Sequence, residues 1–252
     1  MRPLLATLLF ALQPVVASAG VVIEVSVKDP SAKAPSTTTL QAAPDRFRLE
    51  GAGQIVIYRA DKDLAWIIDP ETKTYSELNR QVMNKAAGAM KEVDAAMAEM
   101  TPEQRAMVQG MMAGHGMPQA AQAPPAIHYK DTARSDVVHG FPCSVRETLQ
   151  GEKHLGEVCV TPWAATKIAE SDMSVMERFA DFVKQLSGPL AKMASDNAVP
   201  DIAELHGLPV RTVMAGPEGD VVHEIVRIDE QDVPASAFEL PSGLKREDLG
   251  AP

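Results

Sequence analysis

The chain is poor in aromatics, which make up 4% of 252 residues as 2 Trp, 3 Tyr and 6 Phe. It has only 2 Cys, so a disulfide-dense small scaffold is excluded. It lacks an excess of positive charge: 24 Lys and Arg face 34 Asp and Glu, a net charge of −10. Phosphate contacts need a basic face, so this balance argues against a nucleic-acid partner. Beyond the first twenty residues there is no apolar run of the length a membrane-spanning helix needs. Apolar residues still make up 45% of the chain, which is the composition of a globular protein rather than a disordered one.

The N-terminus reads as an export signal. Met1-Arg2 is a short positive start, Pro3 to Val16 is apolar, and Ala17-Ser18-Ala19 offers small residues at a cleavage site. Cleavage near Ala19 removes residues 1–19 with Arg2, which takes the net charge to −11. No Cys follows the site, so no lipid anchor is expected there. The expected location is the periplasm, an oxidising compartment. Residues 20–252 are expected to form one domain.

Val21, Ile23, Val25 and Val27 alternate with polar residues, the period of a half-buried strand. Thr37 to Leu49 reads as a second strand, Ile55 to Tyr58 as a third, Leu64 to Ile68 as a fourth and Lys73 to Ser76 as a fifth. Short turns between them imply antiparallel neighbours, hence a meander. From residue 79 to 126 the composition shifts to Ala, Met, Glu, Lys and Gln, all helix formers except for a final Gly- and Pro-rich loop. Met83, Met90 and Met97 recur every seven residues and mark a narrow apolar stripe. Thr101-Pro102-Glu103-Gln104 is a helix-restart signal, with Thr101 and Gln104 placed as a capping box. Strand character returns at Ile127, and Ser174 opens a helix with Phe179, Phe182, Val183 and Leu186 on one face. Two more strands, Val210 to Met214 and Val221 to Ile228, precede the tail. Strand groups separated from helix groups predict an α+β fold, a mainly antiparallel curved sheet covered on one face by helices.

Cys143 and Cys159 fall on the two arms of one predicted hairpin. A loop of Gln150, Gly151 and Glu152 pairs Leu149 with Lys153, and continuing that register sets the two Cys directly opposite each other. A disulfide is therefore expected.

No nucleophile elbow, metalloprotease helix, phosphate loop or dinucleotide fingerprint is present, so neither an enzyme nor a bound cofactor is expected. Met111, Met112, His115 and Met117 cluster in a Gly-rich segment, and thioether with imidazole suits Cu(I). The competing reading is that these Met are adaptable apolar filler or a partner surface.

The segments Asp45-Arg46-Phe47-Arg48-Leu49-Glu50, Leu64-Ala65-Trp66-Ile67-Ile68-Asp69-Pro70, Gly140-Phe141-Pro142-Cys143 and Phe238-Glu239-Leu240-Pro241-Ser242-Gly243 resemble a secreted bacterial family, the domain of unknown function numbered four-four-one-two. The meander is also similar to that of the periplasmic lipoprotein carriers and receptors. That resemblance implies a half-barrel with helices plugging a hydrophobic cavity. On this basis Phe47, Trp66, Met83, Met90 and Met97 are the expected cavity residues. The expected partner is a lipid, a lipidated protein or another hydrophobic ligand. The alternatives are a copper-handling protein and a cell-envelope interaction module without a small ligand.

Overall fold

The structure is a computed structural model that describes residues 17–101, 103–104, 107, 127–184, 202–216 and 218–248. The first meander holds β1 (Ala17–Lys28), β2 (Ser36–Ala43), β3 (Arg46–Gly51), β4 (Gln54–Arg59), β5 (Leu64–Asp69) and β6 (Thr74–Asn79). After the helix α1 (Arg80–Ala98), the second meander holds β7 (Ile127–Val138), β8 (Phe141–Gln150) and β9 (Lys153–Thr161). The helix α2 (Ser174–Lys184) comes next, then β10 (Leu208–Gly216), β11 (Gly219–Pro234) and the two-residue β12 (Lys245–Arg246). All twelve strands form one unclosed, curved sheet in the order β12-β6-β5-β4-β3-β2-β1-β11-β10-β9-β8-β7. Every pairing is antiparallel except β12 with β6, so the sheet is mixed. The long β1–β11 ladder joins the two meanders.

Local chemistry sets the boundaries. The expected single strand from Thr37 to Leu49 is two strands, because Pro44-Asp45 turns the chain and Ala43 pairs with Arg46. Proline presets a turn and cannot donate to a ladder, which ends β2 there. The Asn79 side chain accepts the Val82 N–H at 2.9 Å and caps α1. The predicted restart forms as a reciprocal box: the Thr101 N–H donates to Gln104 Oε1, and the Gln104 N–H donates to Thr101 Oγ1. Before α2, the Asp172 carboxylate accepts the Ala169 N–H, so the chain is already turning at Glu170 and Ser174 lies inside the helical run.

The β8–β9 hairpin differs from its expected register. Gln150 pairs with Lys153 across a two-residue turn, and an irregularity between Thr148 and Leu149 then shifts the ladder. Val145, not Cys143, therefore stands opposite Cys159. The disulfide nonetheless joins Cys143 and Cys159, with Cα atoms 5.4 Å apart. This lies inside the range a disulfide spans. Both Cys are buried in the main core beside Val145 and Leu208. Chain entropy for a loop of this size predicts that replacing both Cys by Ser lowers stability by about 3 kcal/mol. The midpoint of urea unfolding reads that loss, and an unchanged midpoint would contradict it.

The first meander is apolar on both faces. Val21, Ile23, Leu40, Ala42, Phe47, Tyr58 and Ala65 point to one side, into the main core with α2. Val22, Ala43, Ile55, Ile57, Trp66 and Ile68 point to the other, under Phe238 and Leu240 of the C-terminal segment. Helix covers one face as expected, but the opposite face is covered too, by chain that follows β11.

Candidate functional site: the helix-covered face of the sheet

The site begins with strand alternation. Phe47 on β3 pairs with Tyr58 on β4, and paired residues share a face. Val175, Met176, Phe179, Phe182 and Val183 recur on one side of α2, an amphipathic spacing that buries against that face. Phe179 meets Phe47 edge-on at 4.9 Å between ring centroids. It lies 5.1 Å from Tyr58, and Phe182 lies 5.3 Å from the same ring. These spacings are those of favourable tilted and edge-to-face pairs. Phe47, Tyr58 and Phe182 are almost completely buried, so the rings fill the space between helix and sheet. The Tyr58 hydroxyl donates to the Arg178 carbonyl of α2 at 3.3 Å. Burial raises the pKa of this phenol, and Asp63 raises it further, which keeps the hydroxyl protonated as a donor. The arrangement offers apolar surface and one polar tether.

The predicted cavity residues are divided by the sheet. Phe47 lies at the centre of the α2 face, and Met83 of α1 packs into the same core. Met97 is buried as well. The side chain of Met90 lies outside the described residues. Trp66 pairs with Ile57 and faces the other way, so it shares no cavity with Phe47. Its indole N–H donates to Glu77 at 3.1 Å, and Lys62 Nζ lies 5.8 Å from its ring. Met111, Met112, His115 and Met117 lie outside the described residues. Among the described residues no group of three or more His, Cys, Asp and Glu is placed to hold a metal. Tyr58, Phe179 and Phe182 were not expected at the site. The helical spacing of Phe179 and Phe182 was visible in the sequence, but their place opposite Phe47 was not.

On the far face a charged clamp holds the C-terminal segment. The Arg59 side chain is 5% exposed and donates to both carboxylate oxygens of Asp61, at 2.8 and 2.7 Å. It also donates to Glu239 and to the Phe238 carbonyl. Lys62 reaches Glu239 at 3.2 Å. The Arg59 hydrogen bonds hold Asp61 below the usual carboxylate range. Burial pushes Glu239 up, but hydrogen bonds from Arg59 and Lys62 outweigh it and hold its pKa down. A depressed carboxylate pKa contributes stability above the unfolded-state value, lost as pH falls through the lower folded value. Glu239→Gln is therefore expected to be less stable than the wild type at about pH 7, with a narrower gap at about pH 3. Urea midpoints at the two pH values check this, and a constant gap would refute it.

No family model matches the chain, so the resemblance to the numbered family of unknown function is not confirmed. No curated protein matches it either. Similar solved structures include an uncharacterised conserved protein from Thermus thermophilus, 9% identical, with a TM-score of 0.44 over 92% of this chain and 91% of that one. The MucA/MucB complex of Pseudomonas aeruginosa aligns at 8% identity and a TM-score of 0.39, over 90% of this chain and 57% of that one. A LolA superfamily protein from Nitrosomonas europaea aligns at 8% identity and a TM-score of 0.31, over 90% of this chain and 92% of that one. No described helix is long and apolar enough to cross a membrane.

Proposed function

We propose that the chain is an exported periplasmic binding protein, cleaved near Ala19, that takes an acyl chain of a lipid or lipidated protein onto the sheet face under α2. The observation that carries this reading is the packing of the 11-residue amphipathic helix α2 on a sheet face, with Phe179 and Phe182 set against Phe47 and Tyr58. In this reading the sheet is a half-barrel and α2 is its cover. An acyl chain entering beneath α2 replaces the helix's rings as the apolar partner of the sheet. Each methylene buried there contributes about 0.8 kcal/mol. Ten methylenes supply roughly 8 kcal/mol, which offsets part of what the apolar side chains of α2 lose on leaving the sheet. The reading assigns no catalytic group.

Native mass spectrometry of the protein purified from the periplasm, followed by lipid extraction and metal analysis, tests the proposal. Bound acyl species released by extraction are the expected result. A protein that carries no lipid and binds no added myristate would overturn it. Stoichiometric copper would move the function to Met111, Met112, His115 and Met117.

A further inference from the structure

One row of side chains crosses the sheet face where the acyl chain is placed. The strand registers set Leu78, Ala65, Tyr58, Phe47, Ala42 and Val21 side by side, from β6 through to β1. All six are buried in the main core. Adjacent strands lie about 4.8 Å apart, so the row runs roughly 14 Å from Tyr58 to Val21. Every member except Tyr58 is apolar. The Tyr58 hydroxyl donates to the Arg178 carbonyl of α2 at 3.3 Å. Inside the helix that carbonyl also takes the N–H of Phe182, four residues on. The two partners therefore fare differently when α2 lifts away. The carbonyl keeps its helical donor. The hydroxyl loses its acceptor and stays on an apolar floor. A buried donor left without an acceptor is strongly unfavourable, and a hydrocarbon chain laid over it brings none and excludes water.

We propose that Tyr58 selects the head of the ligand: its hydroxyl donates to the carbonyl oxygen of a neutral acyl ester, which takes the place of the Arg178 carbonyl. The inference rests on the acyl-binding reading above and names the class of acyl compound that site takes. The chain lies along Phe47, Ala42 and Val21, because toward β6 only Ala65 and Leu78 remain of the row. One carbonyl replaces another, so the buried hydroxyl is paired in both the covered and the loaded state. The surroundings favour a neutral head. Burial disfavours negative charge at this hydroxyl, and Asp63 disfavours it further, against a smaller pull from Arg178; Asp181 adds to the effect of Asp63. A fatty-acid carboxylate meets the same burial and the same two acidic neighbours. An ester carbonyl accepts the hydrogen bond without bringing a charge.

Three pyrene-labelled probes of equal chain length test this selection, ending in a methyl ester, a methyl group and a carboxylate. Fluorescence titration of the wild type is expected to show the ester bound about tenfold tighter than the methyl-ended chain. The carboxylate is expected to bind more weakly than the ester. Tyr58→Phe keeps the ring and removes the donor, so the two neutral probes are expected to bind it equally. The ratio of their affinities is the readout, because a looser cover tightens both alike. A wild-type ratio near one, a ratio that survives in Tyr58→Phe, or a carboxylate bound as tightly as the ester would overturn the selection. Absence of binding by all three probes would instead overturn the acyl reading itself. A diacylglycerol and a diacylglyceryl peptide, each competed against the ester probe, distinguish a lipid from a lipidated protein as the source of the ester. Displacement by neither would overturn the ester class.

Discussion

Replacing Gly156 by valine is expected to prevent the second meander from assembling, a loss on the order of 4 kcal/mol or more. Gly156 pairs with Thr148 of β8 on one side and Met214 of β10 on the other. Its φ is +156°, and a Cβ there would lie 1.9 Å from the Val213 carbonyl oxygen. That oxygen belongs to the backbone of a paired strand, so it cannot move aside as a flexible side chain would. The same ladder sets the position of Cys159. The variant should therefore both unfold at lower urea and form the Cys143–Cys159 disulfide incompletely. Circular dichroism and a thiol count on the denatured protein read both outcomes. A soluble variant with the wild-type midpoint would show that the close approach is not required.

Phe238→Ala is expected to cost about 3–5 kcal/mol, the usual range for emptying a fully buried aromatic site. Phe238 has no exposed surface and packs with Ile57, Trp66, Ile68 and Val233. The Arg46 guanidinium lies over its ring at 5.6 Å. Its carbonyl and its neighbour Glu239 are held by Arg59. The loss should loosen the whole C-terminal segment and shift Trp66 fluorescence to longer wavelength. Because Phe238 and α2 lie on opposite faces, acyl binding by the folded variant should stay within about twofold of the wild type. A small stability change, or a large change in binding at constant stability, would contradict this division of faces.

That division marks how far the sequence could be read. Period-two alternation along β5 is enough to set Leu64, Trp66 and Ile68 on one side, because it is a property of a single strand. It could not say whether Phe47 joins them. That depends on the β3–β4 and β4–β5 registers, which pair Phe47 with Tyr58 and Ile57 with Trp66. A one-residue change in either register would reverse the answer. The Cys143–Cys159 bridge was legible although the register was not, since a tight hairpin brings the two arms together in either case. The Met stripe drew attention to α1, yet the helix packed against Phe47 is α2, a pairing set by long-range contacts. The two-residue β12 has no periodicity to read. It is fixed by the Lys245 N–H donating to the Lys73 carbonyl and the Glu247 N–H donating to the Tyr75 carbonyl.

The most direct measurement of the central claim is a fluorescent fatty-acid titration of the wild type, Phe179→Ala and Phe47→Ala. Phe179 belongs to the cover, and its ring meets Phe47 and Tyr58 on the sheet. Removing it lowers the cost of displacing α2. Apparent affinity scales with the fraction of molecules that are uncovered, so a cover weakened by about 1.4 kcal/mol gives binding about tenfold tighter. Phe47 belongs to the surface that receives the acyl chain, so its loss should weaken binding. Tighter binding by Phe179→Ala together with weaker binding by Phe47→Ala is the predicted result. Unchanged or weaker binding by Phe179→Ala would contradict the account.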